Sequence, residues 1–186
     1  LTSRGSGAGL TYQGGSVLVS NTVTETNILS ETVAGGSLGP NGWVEGEVFG
    51  WYLNNSGADS DITLKIIIGG ETMWTGLYGI VTNTQYQPFS LRFVFANDGA
   101  ANVNWLGGVA LIGPRNLTPA TGIGQLEATN AVAHSVLAAL GGEEAAARAI
   151  ATSSNFAVVV SATHETAAST IQIKALQSKL AVYQKS

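Results

Sequence analysis

An all-β antiparallel sandwich is the fold class this sequence predicts, on three observations. Runs of β-branched and aromatic residues alternate with polar ones at period two, Gly- and Asn-rich turns separate them, and helical spacing is confined to one Ala-rich stretch in the C-terminal half. A length of 186 residues suits one domain with an ample core.

Residues 1–15 hold Ser, Gly and Thr with one charge, Arg4, and no hydrophobic period, which predicts a flexible N-terminal arm ahead of a single domain over residues 16–186. Val17 and Val19, then Val23 and Ile28 within a Thr-rich run, predict two short strands. A connection containing Gly35, Gly36, Gly39, Pro40 and Gly42 launches the clearest strand, residues 43–54. There Glu45, Glu47, Phe49, Trp51 and Leu53 share one face, and Val44, Gly46, Val48, Gly50 and Tyr52 the other. Two glycines on one face point to close approach of a facing sheet or to a bulge. Residues 62–68 and 72–78 flank Gly69-Gly70, a dipeptide suited to the positive φ angles of a tight hairpin. Pro88 opens a strand over 89–96 with Phe89, Leu91, Phe93 and Phe95 on one face; Asn97-Asp98-Gly99 turns the chain, and residues 103–112 run back.

Leu126, Val132, Val136 and Leu140 then recur at helical spacing, and Gly141-Gly142 supplies a stop. Glu144 and Arg148, four apart, fit a short second helix, so a helical insertion is expected over about residues 125–150. Strand character resumes over 156–162 and 170–183. About eight strands with one helical insertion is the strand count of a jelly roll.

Composition narrows the function classes. Hydrophobic residues make up 45% and charged residues 11% of the chain, against about a quarter charged in ordinary soluble domains, so part of the apolar excess is expected at contacts with other subunits. No run of 18 apolar residues marks a membrane span, and no signal-peptide pattern opens the chain. With no Cys there is no disulfide framework and no thiolate nucleophile. A net charge of −4 with scattered Lys and Arg provides no basic stripe, so nucleic acid is not an expected partner.

Each motif that suggests chemistry lacks a required companion. Gly35-Gly36-Ser37-Leu38-Gly39 matches a nucleophile elbow, with Asp98 and then His134 or His164 in hydrolase order, but Pro40 and a strand follow where a helix must aim its amides at an oxyanion. His164-Glu165 begins like a zincin motif, yet Ala168 stands where the second ligand belongs, and an exposed turn histidine is the expected reading. Asp59-Ser60-Asp61 lacks the further ligands of a calcium loop and reads as a turn. Glu45 and Glu47 are expected to face solvent or to meet basic neighbours. No catalytic residue, metal or cofactor is expected.

Three stretches resemble small jelly-roll structural proteins of tailed-bacteriophage virions: residues 22–29; the strand Asp61-Ile62-Thr63-Leu64-Lys65-Ile66 with its Gly69-Gly70 turn; and residues 158–173, where Thr-Ala-Ala-Ser leads into Thr170-Ile171-Gln172-Ile173. The resemblance implies a homotrimer on the virion surface, made in the host cytoplasm, that decorates or cements a capsid or forms a head fibre. Its implied partners are its own copies and a major capsid protein or another virion protein. Leu126, Val132, Val136 and Leu140 are the candidate assembly interface, either covering the sandwich's own end or packing on their copies. The alternative is a tail-fibre domain binding a host surface glycan through Trp43, Trp51, Trp74 and Trp105, although core or interface packing is the preferred role for these tryptophans. A hydrolase using Ser37 is the remote third.

Overall fold

The computed structural model describes residues 10–80, 82–100, 104–113, 117–119, 135–139 and 150–184. Among the described residues there are twelve strands: β1 (Leu10–Gly14), β2 (Val17–Ser20), β3 (Thr26–Val33), β4 (Trp43–Asn54), β5 (Ser60–Ile68), β6 (Glu71–Ile80), β7 (Asn83–Asn97), β8 (Asn104–Gly113), β9 (Leu117–Pro119), β10 (Ser135–Ala139), β11 (Phe156–His164) and β12 (Ile171–Tyr183). They form two antiparallel sheets. The larger runs β1-β12-β4-β7-β8-β10, with β2 also on the β12 edge; the smaller runs β3-β11-β5-β6-β9. The all-β expectation holds, and no helix occurs among the described residues.

Period-two burial builds the core from both sheets. Val44 and Val48 of β4, Phe89, Leu91, Phe93 and Phe95 of β7, and Leu180 and Val182 of β12 are buried with Ile62, Leu64, Ile66 and Ile68 of β5 and Val158 and Val160 of β11. The Phe95 and Phe156 rings meet across the sheets at 6.1 Å, tilted by 52°. The β5–β6 hairpin turns on Gly69 and Gly70 at φ +60° and +88°, the left-handed pair that matches the twist of the flanking strands.

Gly46 and Gly50 have a different cause from a facing sheet. Phe93 lies directly opposite Gly46 in the β4–β7 pair, and a Cβ at Gly46 would fall on its ring. Gly50 pairs with Ala175 at the β12 bulge, the second of the two expected causes, and a Cβ there would strike the carbonyl of Lys174. Both glycines make room within their own sheet. Pro88 pairs with Trp51 beyond the last β8 partner, Ser90, so it occupies β7 where that strand is an edge and a missing amide is tolerated.

Two expectations change. Residues 10–14, placed in the flexible arm by composition, form β1 and pair with β12 from Gly14↔Ser178 to Leu10↔Val182; residues 1–9 lie outside the described residues. Within the stretch given a helical reading, Ser135–Ala139 is a strand paired with β8, so Val136 sits opposite Ile112. Pairing with the β8 edge satisfies the backbone donors and acceptors of these residues in place of a local helix, tertiary context overriding helix propensity. Leu126, Val132 and Leu140 lie outside the described residues.

A buried amide network fastens one end of the sandwich. Asn97 Nδ2 donates to the Gly39 carbonyl at 2.6 Å and to Thr152 Oγ1 at 2.9 Å, Asn104 Nδ2 donates to Asn97 Oδ1 at 2.8 Å, and the Ile150 amide donates to Asn104 Oδ1 at 2.7 Å. It joins the β3–β4 loop, the β7–β8 turn and the entry to β11, satisfying backbone groups that would otherwise be buried without partners.

Gly46→Ala is expected to destabilise the protein by about 1–3 kcal/mol through overpacking against Phe93. Gly15→Ala, with no atom within 4 Å of the added methyl, should stay within about 0.5 kcal/mol of the parent. Urea unfolding midpoints of the two variants check this; equal midpoints would remove the Phe93 explanation.

Candidate functional site

The outward residues of β4, β7 and β12 form the most chemically differentiated surface among the described residues. Strand register sets its rows: Tyr183, Trp43 and Ala96; Ala181, Glu45 and Val94; Lys179, Glu47 and Arg92; Gln177, Phe49 and Ser90; Lys174, Trp51 and Pro88. Each row follows from the period of two, because inward neighbours in β4 are buried at every alternate position.

At one end Trp43 and Tyr183 stack with centroids 4.9 Å apart and planes 15° from parallel. Both present their polar edges to one carboxylate: Trp43 Nε1 donates to Glu45 Oε1 at 3.0 Å and Tyr183 Oη to Glu45 Oε2 at 3.4 Å. In the next charged row Arg92 grips Glu47 Oε1 through Nε at 2.8 Å and a terminal nitrogen at 2.7 Å. Between these groups lies a depression of about 240 Å3 lined by Glu45, Glu47, Arg92, Lys179, Val94 and Ala181, among others.

Further along, the same face becomes apolar. Phe49 is 45% exposed, Tyr86 61%, Leu18 51% and Leu176 42%. Tyr86 tilts against Trp51 at 4.3 Å, with Lys174 Nζ 6.0 Å from the Trp51 ring. Leu18 of β2 lies beside Lys174, and Leu176 is the extra residue of the bulge between Ala175 and Gln177. Together these side chains form a band across the sheet.

The tryptophans divide. Trp43 and Trp51 are half-buried on the outer face, whereas Trp74 of β6 is half-buried against the core. Trp105 lies in β8 opposite Ala96. Tyr86, Arg92, Lys179, Ala181 and Tyr183, which complete the face, were not singled out by motif. Their only signal was the alternation of Lys179, Ala181 and Tyr183, which puts them on one face without saying which strand lies beside them.

Among the described residues the motif side chains are held by separate partners; His134 lies outside the described residues. Ser37 sits in the turn before β4 and donates to the Ala34 carbonyl at 2.6 Å. Asp59 Oδ1 accepts the Thr82 amide at 3.2 Å, which is turn-fixing. Asp61 faces outward beside Glu165; partial burial and then the Glu165 charge push its carboxyl above the usual range. Glu25 is held below its usual range by hydrogen bonds from Lys65, at 2.6 Å, and Ser161, at 2.7 Å. Tyr52, buried with no partner for its hydroxyl among the described residues, has its pKa pushed up to about 12 by that burial. No three His, Asp or Glu side chains converge among the described residues.

His164 departs from the expected exposed turn position. It is 1% exposed at the end of β11, on the inward parity, with Nε2 3.2 Å from the Val19 carbonyl of the opposite sheet. Burial lowers its pKa, outweighing the Val19 carbonyl, which acts the other way.

No protein-family model, curated protein or solved structure matches the chain.

Because the folded state holds the His164 imidazole neutral below its unfolded pKa of about 6.5, the unfolded chain binds more protons there, and stability falls as pH drops below that value. The slope approaches about 1.4 kcal/mol per pH unit until the folded pKa is reached. His164→Gln, which keeps a donor for Val19, should lose this contribution in denaturant titrations between about pH 6.5 and 5. An unchanged slope would assign the dependence elsewhere.

Proposed function

We propose that the chain is a non-enzymatic jelly-roll subunit of a virion surface, a homotrimer that decorates or cements a phage capsid or builds a head fibre. Support for the jelly roll comes from the nesting of its strand pairs. The β5–β6 hairpin is innermost, β4 with β7 encloses it, β3 with β11 follows, and β1 and β2 with β12 are outermost. Rolling up one long folded ribbon yields this nesting and also brings β11 beside β5 and β12 beside β4. On this reading β8, β9 and β10 are additions between β7 and β11.

The observation that carries association over catalysis is the apolar band of Leu18, Phe49, Trp51, Tyr86 and Leu176 on an outer sheet face. Four of the six large hydrophobic side chains exposed among the described residues belong to this band, with Leu10 and Val23 outside it, and such a gathering marks a surface that becomes buried. Lys174 and the nearby Glu47–Arg92 pair give the band a mixed-sign border, so copies of the same chain meet without a like-charge penalty. Many modest contacts in a symmetric particle then hold through effective concentration. The virion location rests on the sequence resemblance.

Light scattering should give a mass near three times 19.1 kDa. Phe49→Ser with Trp51→Ser should weaken association by at least about 30-fold, the effect of losing about 2 kcal/mol from one buried aromatic anchor, with the thermal midpoint of the isolated subunit nearly unchanged. A monomer at every concentration would overturn the association reading. Location on the head or tail of a particle separates decoration from fibre.

A further inference from the structure

We propose that the depression beside the Trp43–Tyr183 stack binds one neutral hexopyranose ring, at a site that adjoins the apolar band through the Glu47–Arg92 pair. Its size sets the first limit. At about 240 Å3 it is smaller than the roughly 300–1,000 Å3 of pockets that enclose drug-sized ligands, so it suits a single ring and not an extended oligosaccharide.

Its chemistry sets the second. Glu45 and Glu47 contribute two negative charges to the lining, and Arg92 and Lys179 two positive ones, so the rim has no net charge with which to select an ion. It does have carboxylate acceptors and cationic donors in two adjoining rows, Ala181-Glu45-Val94 and Lys179-Glu47-Arg92. A purely apolar ligand would strip water from four charged groups and replace none of its hydrogen bonds. A pyranose places C–H groups against the half-buried Val94 side chain and turns its hydroxyls, each both donor and acceptor, to the rim.

The rim is also held in place before a ligand arrives. The Trp43 indole N–H and Tyr183 hydroxyl fix both oxygens of Glu45, and Arg92 fixes Glu47. Trp43 and Tyr183 are therefore positioning residues. Lys179 makes no ion pair among the described residues, leaving its ammonium available to a ring hydroxyl. Fixed acceptors reduce the ordering cost of binding.

The test uses the full chain with methyl α-D-glucopyranoside, methyl β-D-galactopyranoside and methyl α-D-mannopyranoside, followed by amide chemical shifts. At least one sugar should shift the amides of Gly46, Phe93, Val94 and Ala181 saturably, with a Kd of about 1–10 mM. Lys179→Ala should weaken that binding about tenfold, as expected for loss of a charged hydrogen bond. Ala181→Phe, which enlarges a lining residue and fills the depression, should abolish it, with thermal unfolding confirming that each variant is folded. Absence of shifts with all three sugars at about 50 mM, several-fold above that Kd, overturns the proposal. So do shifts that the folded Lys179→Ala protein retains at full affinity.

Discussion

The register between β4 and β12 is the constraint on which the rest of the molecule depends. These strands are joined by more than a hundred intervening residues, yet Trp43 pairs with Tyr183 and Asn54 with Ile171, with one interruption at Leu176. Because side chains alternate strictly, a slip of one residue would carry Val44 and Val48 to solvent and Glu45 and Glu47 into the core. The buried row thus fixes the outer row. The stack on Glu45, the Lys179 border and the placement of Lys174 over Trp51 all follow from the same alignment.

The outer face is uneven for a physical reason. Only 20 side chains in the chain are Lys, Arg, Asp or Glu, counting 8 basic and 12 acidic residues, so charge is too scarce to cover both sheets uniformly. On the larger sheet Glu45, Glu47, Arg92 and Lys179 gather around the depression, and Phe49, Trp51, Tyr86, Leu18 and Leu176 form a band crossed by Lys174. On the smaller sheet, Lys65 and Glu25 form a local pair anchored by Ser161, at about one-third exposure, where solvent screening keeps its stabilising effect small. A chain of this composition gains more by covering its apolar band than by leaving it hydrated.

Buried polar groups are handled in two ways. Asn97, Asn104 and Thr152 satisfy one another and the backbone at one end, which makes a rigid closure of loops distant in sequence. His164 instead bridges the sheets through Val19, leaving its other ring nitrogen without a partner among the described residues. The first arrangement tolerates any ordinary pH. The second depends on keeping the imidazole neutral, because an unpaired charge in that apolar setting is costly.

The sequence by itself determined the all-β class, the strand over residues 43–54 with both its faces, the Gly69-Gly70 hairpin and the inward phenylalanines of β7. All of these are local, set by side-chain period and by backbone conformations that glycine allows. Only the tertiary structure decided which strands lie side by side, and that made Gly46 a seat for Phe93, brought Arg92 to Glu47, and buried His164. It also turned residues 10–14 and 135–139 into strands, since an open sheet edge offers backbone partners that no local pattern can announce. The outer-face depression belongs to this second group: its rim comes from three strands far apart in the chain, and only pairing energy brings them together.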